Sequence, residues 1–221
     1  MTAIHLTCVI PAKAHSRRLL GKNMRPLAGK PLIQYTIEAA KAGGIADIRV
    51  TSDDTNILRF ADQFGVRSVL RPPHLRGPDV PLDAVRDHAV GWGEIDGYGL
   101  PDAVMLLLPT YPFRSARDIM QAVSMLRGGA GGSASGWEVR SADLIERCGG
   151  LLLPNSWMSA HVTAKGRKQS WFGCGATHIG AWMRTDAIRR IDIDTEDDFV
   201  RAESVIQRKQ FDFETGETVL L

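Results

Sequence analysis

The chain has 221 residues, of which 44% are hydrophobic, enough to bury the core of one α/β domain. Its formal net charge is only +2, which excludes a general nucleic-acid binder carrying a basic excess over a whole face; positive charge matters here locally. Three cysteines, Cys8, Cys148 and Cys174, show no C-x-x-C spacing, so neither a disulfide framework nor a zinc ribbon is expected.

In chain order, Leu6 to Ile10 reads as a short buried strand, and it runs into a basic loop. Between Lys13 and Lys30 there are six Lys or Arg residues (Lys13, Arg17, Arg18, Lys22, Arg25 and Lys30) and no acid. Exposed basic loops are ordinarily solvated surface. This one follows a strand directly, and ligands of open α/β sheets bind outside the carboxyl ends of strands. A polyanion such as a triphosphate is the leading partner, cradled by backbone N–H groups and by mobile lysine charges. The loop is neither a Walker loop, since Gly21-Lys22 is followed by Asn23, nor a Rossmann G-x-G-x-x-G.

Pro31 is expected to open a helix that runs to Ala42 and stops at Gly43-Gly44. Strands follow at Ile48 to Ser52 and Val66 to Leu70, with a helix from Asp54 to Phe64 between them. A helical pattern covers Leu82 to Trp92, and the wholly apolar run Val104 to Leu108 suits a central parallel strand. It ends in Pro-Thr-Tyr-Pro and leads to a helix over Ala116 to Leu126. The Gly- and Ser-rich stretch Gly128 to Gly136 precedes a less regular region whose strand-like pieces are Leu151 to Leu153 and Ala176 to Met183. This alternation predicts βαβ units around a largely parallel sheet. Met1 to Ala12 lacks the apolar core of a signal peptide and no run is long enough to span a membrane, so a cytoplasmic protein is expected.

Near the end of the chain, Ile191-Asp-Ile-Asp-Thr-Glu-Asp-Asp198 carries a second chemical feature. Thr195 with Asp198 resembles a capping box for a helix from Glu196 to Arg208, which gives Glu196, Asp197 and Asp198 structural work. Asp192 and Asp194 lie two apart in an extended segment, so their carboxylates share a face. They read either as hard oxygen ligands for Mg²⁺ beside a phosphate site or as a cap and a solvated turn. Cys174 and His178 lack the second pair that a metal site would need.

The segments IPAKAHSRRLLGKN, PLAGKPLIQYTIEAA, VTSDD, LRPPHL, LLLPTYPFRSARDI, CGATHI and IDIDTEDD, in that order, resemble the CMP-sugar synthetases that activate acidic 2-keto sugars. These are the acylneuraminate cytidylyltransferases and relatives acting on legionaminic, pseudaminic or Kdo-type sugars. The resemblance spans nearly the whole chain and is most specific through residue 75, at 104–118 and at 191–203. It implies a Rossmann-like nucleotidyltransferase fold, a mostly parallel sheet with helices on both faces and a small dimerisation appendage at about residues 137–175. It also implies a single domain, a homodimer, Mg²⁺, and transfer of CMP from CTP to an acidic sugar with no nucleic-acid or membrane partner. Carried over by position, Lys13, Ser16, Lys22 and Asn23 fall on the nucleotide-binding loop, with Lys22, and with it Lys13, at the triphosphate and Asn23 near the cytidine. Arg71 matches an arginine near the base, and Asp192 and Asp194 match the metal-binding aspartates.

The chain also departs from the family pattern. Lys13 stands where arginine is usual, keeping the charge but losing the bidentate fork. Leu108 replaces a glutamine before Pro-Thr and can neither donate nor accept a hydrogen bond. Arg76 to Pro81 replaces a Ser-Asp-Thr stretch, and Phe172 to Ala176 replaces an Arg-Pro-Asn-Gly-Ala stretch, removing the usual sugar-end arginine and asparagine. Arg167 and Lys168 are the candidates to meet a sugar carboxylate, and Trp137, Trp157 and Trp171 could wall a sugar pocket or serve the core. Two alternatives stay open: a nucleotidyltransferase of the same fold with another nucleotide or acceptor, as in molybdenum-cofactor or terpenoid-precursor cytidylyltransferases, and a non-catalytic protein binding CTP or a CMP-sugar.

Overall fold

The computed structural model describes residues 5–14, 16, 18–95, 97, 101–127, 132–136, 158–162, 181–184 and 186–219. Their elements in chain order are β1 (Leu6–Pro11), the two-residue strands β2 (Pro26–Leu27) and β3 (Lys30–Pro31), α1 (Leu32–Ala42), β4 (Asp47–Ser52), α2 (Thr55–Asp62) and β5 (Arg67–Leu70). There follow α3 (Leu82–Ile95), β6 (Ala103–Leu107), α4 (Ala116–Arg127), β7 (Gly132–Gly136), β8 (Met158–Val162), β9 (Ala181–Arg184) and α5 (Glu196–Gln207). Seven strands form one sheet in the order β5-β4-β1-β6-β8-β7-β9. The pairs β5-β4, β4-β1 and β1-β6 are parallel, whereas β8 runs antiparallel to both β6 and β7.

Alternation along β1 and β6 builds a core on each face of the sheet. Cys8, Ile10, Met105 and Leu107 pack with Ile33 and Ile37 of α1, Ile57 and Ala61 of α2 and Ile119 of α4. Val9, Val104 and Leu106 face the other way, onto Ala89, Val90 and Trp92 of α3. A third cluster joins Leu27, Leu32 and Phe113 to Phe199 and Val205 of α5 and to Ile191 and Ile193 just before it. Helices therefore cover both faces, as expected, and α5 holds the 191–194 segment against the body.

α1 begins at Leu32 and not at Pro31, which correction has a simple cause: Pro31 is extended (ψ 137°) because it pairs with Pro26 in the β2–β3 ribbon. The helix ends where Gly43 meets α4 so closely that an added Cβ would lie 2.5 Å from Ile119 Cγ2. α2 starts at Asp54, whose carboxylate accepts the Asn56 N–H at 2.7 Å. The Gly- and Ser-rich stretch, to which the sequence assigned no element, supplies strand β7 over its residues 132–136. Residues 158–162, inside the stretch expected to form the appendage, are β8 of the main sheet, and 181–184 are β9. Leu151 to Leu153, the remainder of 137–175 and residues 176–180 lie outside the described residues. Among the described residues no helix is long and apolar enough to cross a membrane.

Candidate functional site

The basic loop leaves the carboxyl end of β1 and is stitched to the end of β4: the Ala12 N–H donates to the Thr51 carbonyl at 2.9 Å, and the Ala14 N–H to Asp53 Oδ1 at 2.9 Å. Asn23 is buried, and its Nδ2 donates to the Lys13 carbonyl at 2.8 Å, bracing the loop from inside. Gly21 has φ +64°, a conformation that suits glycine, and it turns the chain into the short 3-10 helix Lys22–Met24. That turn directs Lys22 inward.

Lys22 is only 8% exposed, and its Nζ donates to the Ile193 carbonyl at 2.9 Å and to Asp194 Oδ1 at 2.6 Å. Arg18, largely exposed, donates to the other carboxylate oxygen, Asp194 Oδ2. Asp194 thus has both oxygens covered by cations. Two residues on, Arg25 makes a forked pair with Glu196 while its guanidinium lies 3.9 Å from the centre of the Phe199 ring. The loop and the acidic segment are zipped together over three successive contacts.

Asp192 has different surroundings. It lies beside Thr110 and Tyr111, in the segment that follows β6, where the Ile193 N–H donates to the Thr110 carbonyl at 2.8 Å. One oxygen, Oδ1, is buried with no hydrogen-bond partner. Burial lifts the Asp192 carboxyl above the usual range and the nearby Asp194 charge adds to the lift, against the influence of the Thr110 and Tyr111 hydroxyls and the Lys22 charge. The two acids therefore share one neighbourhood but engage different partners.

Lys13 reaches the opposite side of the loop, where its Nζ donates to the carbonyls of Gly77 and Pro78, each at 3.3 Å. It pins the Arg76–Pro81 stretch beside β1. Ser16 lies half-buried on the loop between Ala14 and Arg18. Arg71, at the end of β5, is 1% exposed; its Nη2 donates to the Thr51 carbonyl at 2.9 Å, while Nη1 is buried and unpaired. Burial lowers its pKa, the cost of a guanidinium held with the Asp53 charge as its counterweight. Arg167 and Lys168, with Trp137, Trp157, Trp171, Cys148, Cys174 and His178, lie outside the described residues. Reading by motif named Arg18 only as part of the basic run and did not single out Asp53, Thr110 and Tyr111. These three stand at the ends of strands, and that position was their available signal.

Among the described residues no three His, Cys, Asp or Glu side chains group as a metal cluster. Two carboxylates, one with a bare buried oxygen, nevertheless fit a hard divalent cation whose remaining ligands come from phosphate and water.

A sheet of this order, with a basic loop at the end of its first strand facing a carboxylate pair, has the nucleotidyltransferase fold. The solved structure of a CMP:2-keto-3-deoxy-manno-octonic acid synthetase complexed with CTP shares that fold, with a TM-score of 0.66 at 16% identity over 93% of this chain and 99% of that one. Residues 7–128 match the family profile described as Cytidylyltransferase, and the chain belongs to that family. It is 40% identical over 129 residues to a CMP-N,N'-diacetyllegionaminic acid synthase of Legionella pneumophila, covering 55% of this chain and 53% of that protein. It is 32% identical over 121 residues to an N-acylneuraminate cytidylyltransferase of Escherichia coli O18:K1:H7, covering 54% of this chain and 28% of that protein. The matches thus span about half, or less, of the length of these curated relatives.

Proposed function

We propose that the protein transfers CMP from CTP to the anomeric hydroxyl of an acidic 2-keto sugar, of the nonulosonic or Kdo-like class, and releases pyrophosphate. The observation that carries this reading is the buried Lys22 joined to Asp194 at the carboxyl ends of the parallel strands, beside the bare oxygen of Asp192. Membership of the cytidylyltransferase family and the named relatives support the nucleotide and the kind of acceptor.

In the reaction, the anomeric oxygen bonds to the α-phosphorus as the bridging P–O bond to the β-phosphate breaks. The electron pair leaves with pyrophosphate, and the hydroxyl proton passes to solvent or a base. Lys22, released from Asp194, neutralises the triphosphate together with Lys13, so that positioning and charge neutralisation carry the rate. Ser16 and the backbone around it line the phosphate path, Asn23 holds the loop in shape near the cytidine, and the unpaired Arg71 Nη1 is a donor suited to the carbonyl edge of the base. Asp192 and Asp194 would hold Mg²⁺, which when bound supplies charge neutralisation at the phosphate oxygens. Arg167 and Lys168 would meet the sugar carboxylate. The working protein is a cytoplasmic homodimer, with residues 137–175 contributing to the dimer contact.

The test is pyrophosphate release from CTP and Mg²⁺ against sialic, legionaminic, pseudaminic and Kdo-type acceptors, with UTP, ATP and GTP as controls. Release with CTP and one acceptor is expected, and Asp192→Ala should lower it about 100-fold or more, equivalent to roughly 3 kcal/mol of barrier. Full activity in that variant would remove the metal assignment. CTP binding without turnover on any acceptor would favour a binding protein, a reading for which Leu108, apolar at the strand end, is the motivating residue.

A further inference from the structure

The basic run from Lys13 to Lys30 contains no acid, so the carboxylates that order it come from elsewhere in the chain. Asp53, the residue after β4, supplies one: its Oδ1 accepts the Ala14 N–H at 2.9 Å across 39 positions. From the other side, Asn23 Nδ2 donates to the Lys13 carbonyl at 2.8 Å. That carbonyl and the Ala14 N–H belong to one trans peptide group, in which they point in opposite directions. A single peptide plane is therefore gripped at both of its polar ends. The step before it is fixed as well, since the Ala12 N–H donates to the Thr51 carbonyl at 2.9 Å. Asp53 is itself set by its neighbours: Ser52 Oγ accepts the Asp54 N–H at 3.0 Å, and Asp54 caps α2.

We propose that Asp53 is a positioning residue that, with Asn23, locks the Lys13–Ala14 peptide plane and so presets the path of the loop toward Ser16 before the triphosphate arrives. This role rests on the reading of that loop as the triphosphate site, and it adds the side chain that gives the loop its shape. A loop whose peptides are free to turn must be ordered when a polyanion binds, at a cost in affinity. One whose plane is already held at both ends avoids that cost. The negative charge of Asp53 works against a polyanion, so the acceptor oxygen, and not the charge, is what serves binding. Asparagine keeps that oxygen and loses the charge, which separates the two effects.

Calorimetry with CTP and with inorganic tripolyphosphate tests this, alongside amide exchange at Ala14 and urea unfolding. Asp53→Ala should weaken both ligands about tenfold and open the Ala14 N–H to exchange. Asp53→Asn should recover most of the affinity and of the protection. A merely structural role would instead lower the urea midpoint of Asp53→Ala and leave ligand affinity as it was. If Asp53→Ala does not fold, Asp53→Asn carries the test: affinity retained together with Ala14 protection supports the role, and affinity retained with protection lost would overturn it. Equal weakening in both variants would assign the effect to charge and overturn the peptide clamp. Folded Asp53→Ala with full affinity would overturn the positioning role alone. Wild-type protein that binds neither CTP nor tripolyphosphate would remove the nucleotide reading and this role with it.

Discussion

Asp192 and Asp194 are neighbours in sequence, yet one lies beside the neutral side chains of Thr110 and Tyr111 and the other is balanced by two cations. The cations at Asp194 are unequal. Arg18 is 65% exposed, and an ion pair of that kind contributes little because water screens it and a long side chain must be ordered. Lys22 is buried and also satisfies the Ile193 carbonyl. Urea unfolding should accordingly place Arg18→Ala within about 0.5 kcal/mol of wild type and Lys22→Met about 1–3 kcal/mol below it. Equal losses in the two variants would mean that burial does not separate them. At this scale the motif positions of Lys22, Asp192 and Asp194 could be read from residue type and spacing. The surroundings of each could not, since the bonds from Lys22 to Asp194 and from the Ile193 N–H to the Thr110 carbonyl join segments that no local pattern links.

At the scale of elements, α5 is the best case of local instruction. Thr195 Oγ1 accepts the Asp198 N–H, and the Asp198 carboxylate accepts the Thr195 N–H at 2.9 Å and the Asp194 N–H at 3.2 Å. The same box that starts the helix thereby fixes the backbone of a site residue. Replacing Thr195 with Ala should cost about 1 kcal/mol in chemical denaturation, and Thr195→Ala with Asp198→Ala together should cost less than the sum, because each removes the other's partner. Strictly additive losses would mean that the two do not act as a box. The capping box, the αβ alternation and the apolar β6 were all legible, because each is written within a dozen residues. Strand β7 was not: Gly132-Ser-Ala-Ser-Gly136 has almost no β propensity of its own and is a strand because β8 and β9 flank it. Strand β8, Met158-Ser-Ala-His-Val162, does alternate, but five residues with alanine at the centre are a weak signal by themselves, and it is a strand because β6 and β7 flank it.

For the whole molecule, the sheet is tied to α3 through a buried ion pair. Asp47 receives Arg49 Nη2 at 2.6 Å and the Thr7 hydroxyl at 2.6 Å, and Arg49 Nη1 donates onward to the Ala89 and Val90 carbonyls. Burial pushes the Asp47 carboxyl up, but the bonds from Arg49 and Thr7 and the charges of Arg49 and Arg67 outweigh it, so the group lies below its ordinary range. A depressed carboxylate stabilises the fold in full above its unfolded pKa, and that contribution is lost as the pH falls through the folded value. Unfolding free energy should therefore decline as the pH drops below about 4. Asp47→Asn should remove roughly 3 kcal/mol at neutral pH and flatten the acid limb. An unchanged limb in Asp47→Asn would assign acid sensitivity to other carboxylates.

The contact between Lys22 and Asp194 spans 172 positions of the chain. Strands β1, β4 and β5 with the helices between them can gather once Leu70 has been made, because their pairings are between near neighbours. The acidic half of the candidate site, however, is supplied only once residues 191–194 have been made. Until then the basic loop emerges from the ribosome with its cations unbalanced. A nascent chain consequently acquires its scaffold before its carboxylate pair, and any product that stops before residue 191 has the strands of the frame without Asp192 and Asp194.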